Sequence, residues 1–298
     1  MRLRYVPHAE IDRQLYNSCI HYALNGRAWG YKWYLDATAR HFDVLVEGEY
    51  ESVMPLVTSE NWLKRMRLDQ PVLTPGLGVF SVRVLSQKRL GYFLREAAAR
   101  FDRVDLTFTG ETAHGTGEDE DWEWTRGQNL AINIAGADYE TLAAEFAPDT
   151  LRQIALARKS DLLVHANLKP ERVAAFVAEH LDDGQRLQHP MLRVLYNAMH
   201  RGWGWTSAVT DKAGQPLAAA AFVFTHNRVA RVLDVESPAG KRVGALSLLY
   251  DYALRQSAGR QIVFDFASGD ERRYGFGASP EALWHARKQS RLLGVLPV

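Results

Sequence analysis

The chain has 298 residues, carries 36 Lys and Arg against 35 Asp and Glu for a formal charge of +1, and is 47% hydrophobic and 24% charged. That is the balance of an ordinary globular protein, and the length exceeds the usual size of one compact domain, so two domains or one large α/β unit are expected. The near-neutral charge gives no drive toward duplex nucleic acid or an anionic bilayer, no run approaches the ~20 apolar residues of a membrane span, and Met1–His8 lacks the apolar core of a signal peptide, so a cytoplasmic location is expected.

Along the first half, Cys19 is the single cysteine, which excludes an intrachain disulfide and is expected to be a buried structural thiol. Residues Arg27 to Arg40, with Trp29, Trp33 and Tyr34, predict an amphipathic helix. Two apolar runs, Phe42–Val46 and Ser52–Val57, flank Glu47-Gly48-Glu49-Tyr50 and predict a hairpin. Gln70 to Ser81 is punctuated by Pro and Gly as a loop or bent strand is. Leu90, Phe93, Leu94, Ala97, Ala98 and Phe101 recur at helical spacing, and Val104–Phe108 follows as a strand. Thr109 to Asp121 is polar, acidic and Gly-rich, the composition of an exposed loop, and is the expected seam between lobes at 1–125 and 126–298. Its carboxylates show no regular ligand spacing, so a solvated loop is favoured over a metal site.

In the second half, Asn129–Ile134 reads as a strand, and Asp138 to Lys159 as helical pieces broken at Pro148. Pro170 suits a first helical turn, with Val173, Phe176, Val177 and Leu181 on one face behind it. Strands at Leu217–Phe224 and Val229–Val235 are joined by Thr225-His226-Asn227-Arg228. The loop Glu236–Gly240 leads to a helix carrying Leu246, Leu249, Tyr250 and Ala253, which Gly259 closes before the apolar strand Ile262–Phe266. Each half holds a hairpin, a helix and a strand, which suggests a duplicated fold rather than a short repeat.

Chemistry concentrates between Arg228 and Gly277. A Gly-containing loop feeding a helix start favours an anion, and Lys241, Arg242, Val243, Gly244 and Ala245 are the candidate phosphate-binding residues. Asp234 and Glu236, two apart on a strand, share a face, and Asp265 ends the next strand in the chain. The three carboxylates are expected beside the helix start, where one of raised pKa would accept a proton from an amine. Each has a competing reading as a carboxylate satisfied by backbone N–H groups or arginines. Tyr274 is the candidate general acid, against a reading as a packing aromatic. Arg152 and Lys159 share a helical face that suits a substrate phosphate or carboxylate, against a reading as a solvated flank. The histidines show no metal-ligand spacing, and no nucleophile elbow, Gly-Lys-Ser/Thr loop or dinucleotide fingerprint occurs, so neither a metal nor a nucleotide cofactor is expected.

The run Leu151-Arg152-Gln153-Ile154-Ala155-Leu156-Ala157-Arg158-Lys159 with Leu162–Val164 resembles the Arg-rich helix that opens the second lobe of Fem-type transferases of the GNAT superfamily. The helix Leu246–Leu254, the strand Ile262–Ser268 and Tyr274-Gly275-Phe276-Gly277-Ala278 are similar to that family's later elements, and Tyr50–Leu56 to a strand of its first lobe. The resemblance implies a mixed α/β fold of two GNAT-like lobes, each a mostly antiparallel twisted sheet flanked by helices. It implies transfer of an acyl or aminoacyl group from acyl-CoA or aminoacyl-tRNA to an amine acceptor, small molecule or peptide. The GNAT phosphate loop reads Gln/Arg-x-x-Gly-x-Gly/Ala, whereas this chain has Lys241 first and Leu246 last. It also has no heptad run for the coiled-coil arm of some tRNA-using members. The donor therefore stays open, and a GNAT-fold protein that binds a ligand or partner without catalysis is the alternative.

Overall fold

A computed structural model describes residues 3–39, 41–60, 66–110 and 122–289. The chain divides into two units, Met1–Gly127 with Ala282–Val298, and Gln128–Glu281. Most of the expected seam, with its acidic cluster at 111–121, lies outside the described residues. The division falls after Gly127, inside a strand that runs Glu123–Asn133. The end of the chain differs from the sequence reading, which kept everything from 126 onward in the second lobe. Leu283–Gln289 pairs antiparallel with Arg103–Thr109, and this pairing carries the segment into the first unit.

The first unit runs β1 (Leu3–Val6), α1 (Arg13–Tyr22), α2 (Lys32–Thr38), β2 (Phe42–Glu47), β3 (Ser52–Glu60), β4 (Met66–Leu68), β5 (Phe80–Ser81), α3 (Gln87–Arg100), β6 (Arg103–Thr109) and the start of β7 (Glu123–Asn133). β1, β2, β3 and β4 pair antiparallel in sequence, β4 pairs parallel with β6, and β5 pairs with β3. The expected helix from Arg27 to Arg40 is broken: a 3-10 turn at Ala28–Gly30 meets α2 through Tyr31, which is extended. Ser86 caps α3, and Leu90, Phe93, Leu94 and Ala97 pack on Leu45, Met54, Leu56, Leu106 and Phe108. β6 alternates, with Val104, Leu106 and Phe108 buried and Arg103, Asp105 and Thr107 between them on the other face.

The second unit continues through α4 (Tyr139–Ala144), α5 (Pro148–Lys159), β8 (Leu163–Ala166), α6 (Pro170–His180), α7 (Gly184–His200), β9 (Gly204–Thr210), β10 (Pro216–Thr225), β11 (Arg228–Glu236), α8 (Pro238–Val243), α9 (Ala245–Ser257), β12 (Val263–Asp265) and the start of β13 (Ser279–Gln289), the rest of which belongs to the first unit. Strands β8 to β11 pair antiparallel in sequence, β11 pairs parallel with β12, and β12 antiparallel with β7. The β10–β11 turn has His226 at φ 53° and Asn227 at φ 51°, the paired left-handed residues of a type I′ hairpin.

α7 and β9 are among the elements that periodicity had not identified. Pro190 interrupts the helical signal, although Met191, Val194, Leu195 and Ala198 behind it form a buried face. The core gathers Phe146, Phe222, Tyr250, Phe264, Phe266 and Phe276 under α9. Burying each such ring contributes about 2 kcal/mol. Ala218 and Ala220 on β10 lie in the same core, and their small side chains let α9 approach the sheet. Among the described residues no helix is long and apolar enough to cross a membrane.

Candidate functional site

The site is built where β11 and β12 part. Their parallel pairing covers Arg228–Ala230 against Val263–Asp265 and goes no further. β11 also carries a bulge: Ala221 faces Leu233 while Phe222 faces Arg231, so Val232 is the extra residue. The bulge turns Arg231 and Asp234 to one side of the strand, where Arg231 Nη1 lies 2.6 Å from Asp234 Oδ1. The same guanidinium donates through Nε to the carbonyl of Phe266 and through Nη2 to that of Ala267 at 2.8 Å. Arg231 thus satisfies carbonyls that the parting strands would otherwise leave unpaired.

Asp234 is the centre of a buried ion cluster. Besides Arg231 it accepts from Arg273 Nη2 and, at 3.0 Å, from the Tyr250 hydroxyl. The Arg273 guanidinium lies over the Tyr250 ring, 4.5 Å from its centroid. Burial would raise the Asp234 pKa, but Arg231 and Arg273, with the Tyr250 hydroxyl, outweigh it and hold the carboxyl below its ordinary range. For Tyr250, burial and the Asp234 charge push the phenol well above its usual value. Asp234 is therefore an ionised acceptor with its lone pairs already engaged.

Glu236 differs, although it is only two positions away. Its Oε1 accepts from the N–H of Leu246, in the first turn of α9, at 2.8 Å. Burial raises its pKa, and the Leu246 N–H with Arg272, Lys241 and Arg273 offsets this only in part. Glu236 faces a cavity of about 490 Å³, with Lys241, Ser247, Arg272, Arg273, Asp149 and Thr150 among its other lining residues. Asp149, Thr150 and Gln153 come from the start of α5, which the sequence reading did not place here. Close glycines seat these walls: a Cβ on Gly275 would meet Thr150 Oγ1 at 2.2 Å, and one on Gly244 would meet the Gln153 carbonyl at 2.5 Å.

The segment expected as a phosphate loop is helical. Ser237 caps α8, its Oγ accepting from Gly240 N–H at 3.0 Å, and its carbonyl accepts from Lys241 N–H at 3.0 Å. Gly244 N–H donates to the Gly240 carbonyl, and Gly244 adopts φ 70° between α8 and α9. The amides of Gly240, Lys241, Gly244 and Leu246 are thus bonded within the chain, and the Glu236 carboxyl sits where an anion at the start of α9 would sit. Lys241 and Gly244 line the cavity, while Arg242, Val243 and Ala245 are not among its lining residues.

The remaining sequence candidates are not among the residues that line the cavity. Asp265 pairs with Ala230, six positions and roughly 20 Å along the strand from Glu236. It accepts from Arg228 Nη1 at 2.9 Å, Asn129 Nδ2 at 2.8 Å and Ala267 N–H at 2.7 Å. The three carboxylates therefore do not gather at the helix start. The Tyr274 hydroxyl donates to Gln128 Oε1 at 2.9 Å. Arg152 is exposed and ion-paired with Asp149, and Lys159 is exposed at the end of α5. Arg231 and Arg273 were missed; the signal available was a pair of arginines flanking the two singled-out segments. Among the described residues no group of three or more His, Cys, Asp or Glu is placed to hold a metal ion.

No protein-family model matches the chain, and no curated protein matches it in sequence. Solved structures do match in fold. FemX superposes with a TM-score of 0.60 at 10% identity, over 95% of this chain and 97% of its own. The L-PGS of Bacillus licheniformis gives 0.58 at 9% identity, over 95% and 93%. A tandem GNAT protein from the clavulanic acid biosynthesis pathway gives 0.55 at 16% identity, over 96% and 98%. The chain has the mixed α/β, Fem-type double-GNAT fold of these proteins.

Proposed function

We propose that the chain is an acyl- or aminoacyltransferase acting on an amine, with the cavity beside β11 and α9 as its reaction site and Glu236 as the proton acceptor. The observation that carries this reading is the contrast between the two carboxylates of β11. Asp234 is tied into a buried ion cluster, whereas Glu236 faces a cavity with a pKa raised by burial. The double-GNAT fold agrees with it, since that fold is shared with a tandem GNAT protein and with FemX.

In the proposed reaction Glu236 accepts a proton from the acceptor's ammonium, directly or through one water. The free amine attacks the donor carbonyl, the C–N bond forms, and the C–S bond of a thioester or C–O bond of an ester breaks. The attacking nitrogen loses its second proton as the amide forms, and that proton passes directly or through water to the leaving thiolate or alkoxide, while protonated Glu236 returns its own proton to solvent. Lys241, the cavity cation without an ion-pair partner among the described residues, is the candidate to hold a donor phosphate or carboxylate.

A second reading rests on the start of α9. The Leu246 amide is held by Glu236, and the Gly240, Lys241 and Gly244 amides are bonded internally, so a binding protein without acyl transfer is its natural consequence. The deciding experiment is a thermal-shift screen against coenzyme A, acetyl-CoA, longer acyl-CoAs and charged tRNA, followed by turnover with an amine panel. A concentration-dependent rise in Tm with one donor class, and loss of turnover in Glu236→Gln, is the expected result. No shift with any donor selects the second reading.

A further inference from the structure

In the first unit, three side chains form a hydrogen-bonded row on the sheet face turned away from the core. Val104, Leu106 and Phe108 of β6 and Ala286 of β13 lie in that core, with Trp284 of β13 and Trp124 of β7 packed against it. Alternation puts Asp105 and Thr107, His285 and Arg287, and Glu123 and Thr125 together on the opposite face. Arg126 goes with Trp124 instead, its guanidinium 6.0 Å from the Trp284 ring centroid. The β6–β13 register sets Thr107 against His285 and Asp105 against Arg287.

Asp105 Oδ1 lies 2.9 Å from His285 Nε2, while its Oδ2 accepts from Arg103 Nη2 at 2.7 Å and from Arg287 Nε at 3.3 Å. Burial would raise the Asp105 pKa, but Arg103, with His285 and Arg287, outweighs it and holds the carboxyl below its ordinary range. An ionised carboxylate can only accept, so Nε2 of His285 carries the hydrogen. In the neutral ring Nδ1 then keeps its lone pair and accepts from the Thr107 hydroxyl, 3.2 Å away. The Thr107 main chain is pinned on both sides, its N–H donating to Gln70 Oε1 at 3.1 Å and its carbonyl accepting from Leu77 N–H at 2.9 Å. A hydroxyl held against an imidazole that a carboxylate orients is the arrangement of an activated nucleophile.

His285 and Arg287 line a cavity of about 200 Å³ with Glu123, Thr125 and Gly127 of β7. We propose that Thr107 is an acyl-accepting nucleophile with His285 as its base, and that this cavity admits a small uncharged acyl ester. Glu123 offsets the charge of Arg287, so an anion gains no net attraction here, and the volume limits the acyl group to a short one. In the first step the Thr107 Oγ1–C bond forms, the ester C–O bond breaks, and the hydroxyl proton passes to His285 Nδ1 and on to the leaving oxygen or solvent. Water then attacks the acyl-threonine, giving its proton to His285, which returns one to Thr107 as the acid departs. The site is separate from the proposed transferase cavity and stands whether or not transfer to an amine is found.

Incubation of the full chain with p-nitrophenyl acetate, followed by intact mass and peptide mapping, tests the proposal. Acetylation of Thr107 ahead of any lysine is expected, with a matching burst of p-nitrophenolate. Thr107→Val should abolish the burst, and Thr107→Ser should retain it. His285→Gln should slow the acetylation by about 100-fold or more, the range for loss of a general base. p-Nitrophenyl octanoate should react far more slowly than the acetate, because its chain exceeds the cavity. The His285 side chain is 37% exposed, so its replacement leaves the core intact, and unchanged melting curves confirm that the variants fold. No acetyl group on Thr107, a burst that survives Thr107→Val, a rate insensitive to His285→Gln, or equal reaction of the octanoate would overturn it.

Discussion

Arg231 and Asp234 stand three positions apart on one strand, yet their side chains meet at 2.6 Å. In a regular strand residues i and i+3 point to opposite faces. The extra residue Val232 resets the alternation and turns both inward. The ion pair is therefore a product of the bulge, and through Phe266 and Ala267 it fixes how far β11 and β12 separate.

Removing the Asp234 charge leaves two buried arginines without their anion. Asp234→Asn is expected to lower stability by about 3–5 kcal/mol, the usual cost of breaking one side of a buried pair. Denaturant unfolding measures it. The same carboxylate sets an acid limit. Its folded pKa lies below the ordinary value, so the stability it contributes is fully present above the unfolded pKa, about 3.9. That contribution is lost as pH falls through the folded value. The unfolding midpoint of the wild type should drop on the acid side of pH 4, and Asp234→Asn should drop less.

Glu236→Gln should behave in the opposite way. Its folded pKa is raised, so ionised Glu236 costs stability as pH rises through that value. At neutral pH the glutamine variant should melt at the same temperature as the wild type or higher. Turnover, by contrast, should fall by about 100- to 10,000-fold, the range for loss of a general base. In the wild type kcat/KM should rise with pH through the raised carboxyl pKa, and this limb should vanish in Glu236→Gln. A variant that loses both stability and turnover would place Glu236 with the structural acids.

Much of this architecture could be read from the sequence. The β10–β11 hairpin is legible because Thr225-His226-Asn227-Arg228 separates two apolar runs, and α9 because Leu246, Leu249, Tyr250 and Ala253 recur on one face. α8 is not legible as a helix. Ser237-Pro238 is a helix start, but Gly240 and Gly244 around two cations have the composition of a phosphate loop. The bulge at Val232 carries no Gly or Pro to mark it. The fate of the carboxylates depends on partners far along the chain: Arg273 reaches Asp234 from 39 positions away, and Asn129 reaches Asp265 from 136. Spacing can place two acids on one face; it cannot say which one an arginine will claim.

Cys19 should be inert in the native protein. It is 3% exposed, and burial pushes its thiol up to about 12, so almost no thiolate forms near neutral pH. A thiol-reactive disulfide reagent should label the native chain negligibly and react once per chain in denaturant. Stoichiometric labelling under native conditions would show that α1 and the β5 carbonyl at Phe80, 3.9 Å from the sulfur, separate readily.

Gly244 tests whether the turn between α8 and α9 matters for the cavity. Its φ of 70° is strained for any residue with a Cβ, and that Cβ would meet the carbonyl of Gln153 at 2.5 Å. Because the obstacle is backbone, no side-chain rotation relieves it, and α5 has to move away. Gly244→Ala is expected to cost about 1–3 kcal/mol from strain and displaced packing. Gly214, at φ 79° but with open space within 4 Å of where a Cβ would stand, is the control for backbone strain alone. Gly214→Ala should therefore cost less, about 1 kcal/mol. Since Gln153 and Gly244 both line the cavity, Gly244→Ala should also weaken whichever ligand the thermal-shift screen identifies, and Gly214→Ala should not. Equal costs for the two substitutions, with ligand binding intact in both, would show that α5 is free to shift and that the close approach of Gly244 to Gln153 does not set the shape of the site.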